Sequence, residues 1–199
     1  RQDRDLADAQ LVLGFQGRPY YQRDFYASQV LSTILGGGMS SRLFQEVRET
    51  RGLCYAISAF HWSFSDTGLF GIHAATGEDE LSELAPVIVE ELARAADGIT
   101  EKEVVRARSQ IRSSLLMSQE SPASRAGQIA RQLLFKGSVI ENTELLDRLA
   151  AISAERLADL AGRTFLDVKP TLAAIGPLRL LPSLESIEQR LGSPALAAG

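Results

Sequence analysis

The sequence predicts an α+β domain built as an antiparallel sheet covered on one face by helices. Three observations lead there. Short apolar or aromatic runs near the beginning, middle and end read as strands. Longer amphipathic stretches with recognisable caps read as helices, and strands and helices come in blocks rather than in strict alternation.

Residues 10–17 (QLVLGFQG) form an apolar run closed by Gly17 and Pro19, too short for a packed helix, and are expected to open the sheet. Over 22–35, Phe25, Leu31, Ile34 and Leu35 recur at helical spacing until Gly36-Gly37-Gly38 stops the pattern. Ser40 or Ser41 then offers an N-cap for a short helix, 41–50, with Leu43, Phe44 and Val47 on one face and Gly52 as its breaker. Residues 54–64 and 68–76 are rich in aromatic and small side chains around the turn cluster 65–68, which predicts a hairpin.

Over 79–97, Leu81, Leu84, Ala85, Ile88 and Leu92 mark a sheet-covering helix with Pro86 as a local bend. Thr100 and Glu103 form a capping-box pattern at the start of a helix reaching about residue 120. Ser121-Pro122 starts another, stopped by Gly137. Thr143 and Ser153 are expected to cap two further short helices, and 171–176 (TLAAIG) is expected to be the last strand. An amphipathic piece, 183–192, precedes a tail, 193–199, that reads as frayed.

One core can organise 199 residues, and with no internal repeat or composition break the chain reads as one domain over 1–199, two small domains being the alternative. A net charge of -4 with 23% charged residues argues against nucleic acid as a partner and against a self-repelling disordered chain. Cys54 is the only cysteine, so no internal disulfide forms and no compartment follows; a bacterial protein of this kind would be cytoplasmic or periplasmic. The chain opens on Arg1 rather than Met and reads as a processed or excised piece, and no apolar run is long enough for a membrane span.

Most common chemistries find no support. Only His61 and His73 could offer imidazole to a metal; neither belongs to H-x-x-E-H or H-E-x-x-H, though a hairpin could bring them opposite each other. Two sheet histidines with ordinary packing or hydrogen bonds is the plainer reading. Cys54 has its nearest imidazole seven residues along the same strand. At about 3.3 Å per residue that is beyond reach of a nucleophile and base. There is no G-x-S-x-G elbow, and Gly36-Gly37-Gly38 follows a helix with no P-loop lysine after it. That run is left either to approach an extended peptide closely or simply to end a helix. Arg48, near the end of the short helix, and Tyr55, at the start of the next strand, lie either side of the Gly52 turn. A guanidinium and a phenol aimed at one peptide carbonyl would stabilise the oxyanion formed during hydrolysis; otherwise they are a solvated cation and a half-buried strand residue.

The segment from Leu35 to Tyr55 (LGGGMSSRLFQEVRETRGLCY) closely resembles the signature of the second domain of pitrilysin/insulinase-type zinc endopeptidases, the family of the mitochondrial processing peptidase. Asp66-Thr67-Gly68-Leu69-Phe70, the stretch Gly98 to Val104 and the stretch Ser118 to Ala126 resemble that family in the same order, and the likeness spans roughly residues 8–176. The resemblance implies the family's metallohydrolase-domain fold and a metal-free, C-terminal-type domain that cannot hydrolyse peptides alone. It also implies that zinc is held in a missing upstream domain or partner subunit, with no cofactor in this chain. Two such domains, often assembled as a dimer of two-domain subunits, would enclose a chamber for peptide substrate. By the same resemblance Arg48 and Tyr55 contact the substrate backbone; the glycine loop, Gly36, Gly37, Gly38 and Ser40, is read as facing the substrate, although the run is shorter than the glycine-rich loop of the mitochondrial enzyme's non-catalytic subunit. The alternative is a non-catalytic binding or assembly subunit of the same fold, like the respiratory-complex core proteins that resemble this family.

Overall fold

In the computed structural model, which describes residues 1–192, five strands form one sheet in the order β1-β5-β2-β4-β3. They are β1 (Gln2–Asp3), β2 (Ala9–Gln16), β3 (Ala56–Ser63), β4 (Gly68–Thr76) and β5 (Thr171–Gly176). The predicted strands 10–17, 54–64, 68–76 and 171–176 are present, and their pairings are antiparallel. The sheet as a whole is mixed, because β1 runs parallel to β5. Two residues carry no periodicity, so sequence patterns could not detect β1.

The helices are α1 (Phe25–Gly36), α2 (Leu81–Asp97), α3 (Glu101–Gln119), α4 (Pro122–Lys136), α5 (Asn142–Ala150), α6 (Ala154–Ala161) and α7 (Leu184–Leu191). Thr100 caps α3 in a complete capping box, Ser121 caps α4, and Gly137, at φ 72°, ends α4 in the left-handed conformation that glycine adopts without strain. Ser153 caps α6 as expected, but Thr143 does not cap α5: that helix begins at Asn142, with Glu141 in the cap position and no side-chain cap bond. Helix α2 continues through Pro86. The predicted helix 22–35 begins only at Phe25, and the predicted tail 193–199 lies outside the described residues.

Two further segments, Phe44–Thr50 and Gly162–Leu166, are π-helical. The first replaces most of the predicted helix 41–50, and Ser41 caps nothing. Its buried hydroxyl instead donates to the Gly38 carbonyl at 2.6 Å.

The core lies between the sheet and the helices. Leu11, Leu13 and Phe15 of β2 and Phe70, Ile72 and Ala74 of β4 point the same way and are buried. Phe165, at 0% exposure, meets Phe15 and Phe70 edge-on at ring distances of 5.1 Å. Truncating such a ring to alanine typically costs about 3–5 kcal/mol. Helix α1 lies over β3 and β4, the Gly162–Leu166 segment touches β2, and α2 packs against α6 and α7. Helices α3 and α5 pack outside α1 and α4 lies against α3, so among the described residues no helix lies on the opposite face of the sheet.

Candidate functional site

Arg48 and Tyr55 belong to one tightly braced corner. Insertion of an extra residue per turn makes a π-helical segment wider than an α-helix, and such segments persist where the surroundings hold them. Here the brace is threefold. Val47 is fully buried, Arg51 bonds Glu46 at 2.9 Å and Glu83 of α2 at 3.3 Å, and Arg42 forms a two-pronged ion pair with Glu103 at the start of α3.

Gly52, at φ 65°, then reverses the chain, a conformation that disfavours any side chain. The Leu53 amide donates back to the Val47 carbonyl at 2.9 Å. The buried Thr76 hydroxyl donates to the Leu53 carbonyl at 2.6 Å, and the Tyr55 amide donates to the Ala75 carbonyl at 2.9 Å. The segment from Arg48 to Tyr55 is therefore fastened to the end of β4.

Among the described residues, the polar ends of the two side chains carry no hydrogen bond. The Arg48 guanidinium lies 4.8 Å from the centre of the Phe44 ring, and Tyr55 is 64% exposed with its hydroxyl beside Gly77. Neither makes a hydrogen bond to any described residue. A donor held in place with its polar end unsatisfied is what a carbonyl-binding group requires before its ligand arrives. Cys54, between them, is buried; burial pushes its thiol up, and the nearby Arg48 charge only partly opposes this. A thiol so disposed is an inert space-filler rather than a nucleophile.

The glycine run divides. A methyl group on Gly36 would lie 2.1 Å from the Ala59 nitrogen, so this glycine lets α1 press its backbone onto β3. Gly37 is crowded by Thr33, and its carbonyl accepts from Gln110 of α3 at 2.5 Å. Both are committed to internal packing. Gly38 and Ser40 are exposed, together with Met39, and only this tip of the loop can touch another molecule.

The histidines do not meet. Facing residues are Ser63 and Gly68 at the hairpin end, His61 with Phe70, and His73 with Ser58. Two odd-numbered residues in this register must point to opposite faces. His61 is buried on the helix side, where its Nε2 accepts from the Arg18 amide at 3.0 Å; burial holds its pKa at about 4, so it stays neutral. His73 stands on the helix-free side, 2.9 Å from Gln10. Among the described residues no three His, Cys, Asp or Glu side chains cluster as metal ligands. The donor set does not fit zinc.

Sequence reasoning passed over the helix-free face itself. It carries Phe60 and Trp62, whose rings lie 4.5 Å apart, with Leu69 beside them and Val12 and Ile175 farther across the same face. The four-residue turn 64–67 fixes which alternate residues lie there, so strand alternation read together with turn length was the available signal.

Residues 1–111 match the family described as "Peptidase M16 inactive domain". An uncharacterized zinc protease of Rickettsia felis is 38% identical over 176 residues, covering 88% of this chain and 42% of that protein. One from Bacillus subtilis is 37% identical, covering 90% and 44% respectively. A protein of Arabidopsis thaliana named "Probable mitochondrial-processing peptidase subunit beta, mitochondrial" is 34% identical, covering 94% and 37%. The chain thus spans about two fifths of the length of these relatives. Among solved structures, a chain of complex III2 from Candida albicans superposes with a TM-score of 0.86 at 18% identity, covering 96% of this chain and 48% of that one. A protease from Helicobacter pylori does so at 0.74 and 21%, covering 88% and 42%. These two likenesses bear on the fold.

Proposed function

The chain belongs to the peptidase M16 family as an inactive C-terminal-type domain, and from that premise we propose that it is the substrate-binding, metal-free half of a zinc endopeptidase. The observation that carries this reading is the corner at Arg48 and Tyr55: two exposed donors on a backbone fixed by buried anchors, neither side chain hydrogen-bonded to a described residue. A peptide laid along the helix-free face would present a backbone carbonyl to them. The guanidinium would orient that carbonyl by charge-assisted hydrogen bonds and the phenol by a neutral one, holding the scissile unit still and stabilising charge that develops on its oxygen. The loop tip at Gly38–Ser40 would flank the peptide. Gly36 and Gly37 would serve it by holding the loop against β3 and α3.

Zinc is assigned by this proposal to another domain or subunit, since the relatives are named zinc proteases while the described residues of this chain offer no ligand set. The partner is accordingly a zinc-binding domain, upstream or on a second polypeptide, and a dimer of two-domain subunits would enclose the peptide between such halves.

The test joins the chain to a zinc-binding half from a matching relative and follows peptide cleavage. Cleavage should require both halves. Arg48→Ala and Tyr55→Phe should each lower kcat by about 10- to 100-fold with smaller changes in KM. Full kcat in both variants would overturn the carbonyl-contact assignment, and cleavage by this chain alone would overturn the whole reading.

A further inference from the structure

The helix-free face is unusual for its lack of charge. An antiparallel sheet with one open face ordinarily alternates apolar residues inward with polar and charged ones outward. In this chain 23% of residues are charged, yet the outward positions of β5, β2, β4 and β3 include no Asp, Glu, Lys or Arg. The first charge met is Arg1 at the β1 edge, and its guanidinium is turned aside to the Pro182 carbonyl.

The relief of the face is also specific. Gly14 and Gly71 leave shallow places that neighbouring side chains lie across: a methyl group on Gly71 would meet the Phe60 ring at 2.2 Å, and one on Gly14 would meet Leu69 at 3.2 Å. Phe60 and Trp62 form an aromatic ledge on β3, and Trp62 is 57% exposed. Across the sheet, a groove of about 370 Å³ is floored by Val12, Ala173 and Ile175, with Gln10 on one side and Gln2 and Arg1 at its β1 rim. Between ledge and groove stands the His73–Gln10 pair. With Gln10 Oε1 accepting at 2.9 Å, His73 Nε2 carries the ring proton. That leaves His73 Nδ1 as an acceptor and the Gln10 amide nitrogen as a donor, neither with a partner among the described residues.

Resting on the peptide-wall reading above, we infer that this face selects extended peptide segments with uncharged, apolar side chains, and that His73 and Gln10 are its directional contacts. One acceptor beside one donor is the complement of a single peptide unit. The ledge and the groove take apolar side chains on either side of it. A charged side chain brought to the outward positions of β5, β2, β4 and β3, away from the Arg1 rim, would lose water and find no opposite charge there, a cost of more than about 1.4 kcal/mol, or about tenfold in affinity. A second copy of the chain or another domain would need a continuous apolar surface, and the polar pair at the centre interrupts it.

Trp62 is the only tryptophan of the chain and reports directly on this face. Blocked short peptides of Leu, Phe, Ala, Ser and Gln would be titrated into the full chain, against versions with single Ser residues replaced by Lys or by Asp. Trp62 emission would be read by difference from the Trp62→Phe variant. The neutral peptide should shift the emission and bind about tenfold tighter than either charged one. Val12→Asp, or Ala173→Asp should Val12→Asp fail to fold, should weaken neutral binding at least as much, and Gln10→Leu should weaken it several-fold without changing the order of preference. Equal binding of all three peptides would overturn the selectivity and leave the peptide wall standing. An emission shift with protein concentration alone would overturn the inference in favour of self-association, and no shift with any peptide would overturn the wall as well.

Discussion

Arg42 and Glu103, 61 residues apart in sequence, are joined by two hydrogen bonds, Nε to Oε1 at 2.6 Å and Nη2 to Oε2 at 2.9 Å. The same guanidinium reaches the Gly98 carbonyl at 2.8 Å, and Glu103 closes the cap of α3 through Thr100. One pair therefore locks the segment carrying Arg48 to the start of α3.

Burial alone would raise the Glu103 carboxyl, but hydrogen bonds from Arg42 and Thr100 overcome it and hold the pKa at about 2, below the ordinary 4.5. A depressed carboxylate adds stability above its unfolded pKa and loses it as the pH falls through the folded one. The contribution, up to about 3 kcal/mol, should therefore disappear between pH 4.5 and about 2. Arg42→Ala should lower stability by about 2–3 kcal/mol at neutral pH and flatten that acid window in urea unfolding.

His61 gives a second, separate window. Burial holds its folded pKa at about 4 against 6.5, so the unfolded chain binds the proton more readily between those values. Stability should fall as pH drops from 6.5 towards about 4, by up to about 3 kcal/mol. His61→Gln should remove that slope while leaving the Glu103 window in place; an unchanged slope would refute the assignment.

Gly36→Ala should destabilise by more than about 3 kcal/mol, because the added methyl would sit 2.1 Å from a strand nitrogen that cannot move alone. Gly98→Ala should change stability by less than about 0.5 kcal/mol, since nothing lies within 4 Å and the φ of 174° is extended backbone. Thermal unfolding of the two variants side by side measures the contrast.

Arg48→Ala and Tyr55→Phe should each alter stability by less than about 0.5 kcal/mol, because the affected groups are exposed and hydrogen-bond nothing. Large losses of cleavage with unchanged melting would separate a substrate contact from a structural one. Equal losses of both would assign these residues to the brace.

Local rules made much of the fold legible. Thr100, Ser121 and Ser153 announced helix starts, Gly137 announced a stop, and short apolar or aromatic runs bounded by turn residues found four of the five strands, because caps, turns and such runs are settled by neighbours in sequence. Arg48 and Tyr55 gained their role as substrate contacts through family resemblance and not through any local rule. The parallel edge strand β1, the π-helical winding around Val47 and the division of labour among Gly36, Gly37 and Gly38 were not legible. Each is decided by a partner far along the chain: β5 for β1, Arg42 with Glu103 and Arg51 with Glu83 for the winding, Ala59 and Gln110 for the glycines. The opposite facing of His61 and His73, and the uncharged surface on which His73 stands, likewise required the strand register, since a side chain's face is set by its pairing and not by its own identity.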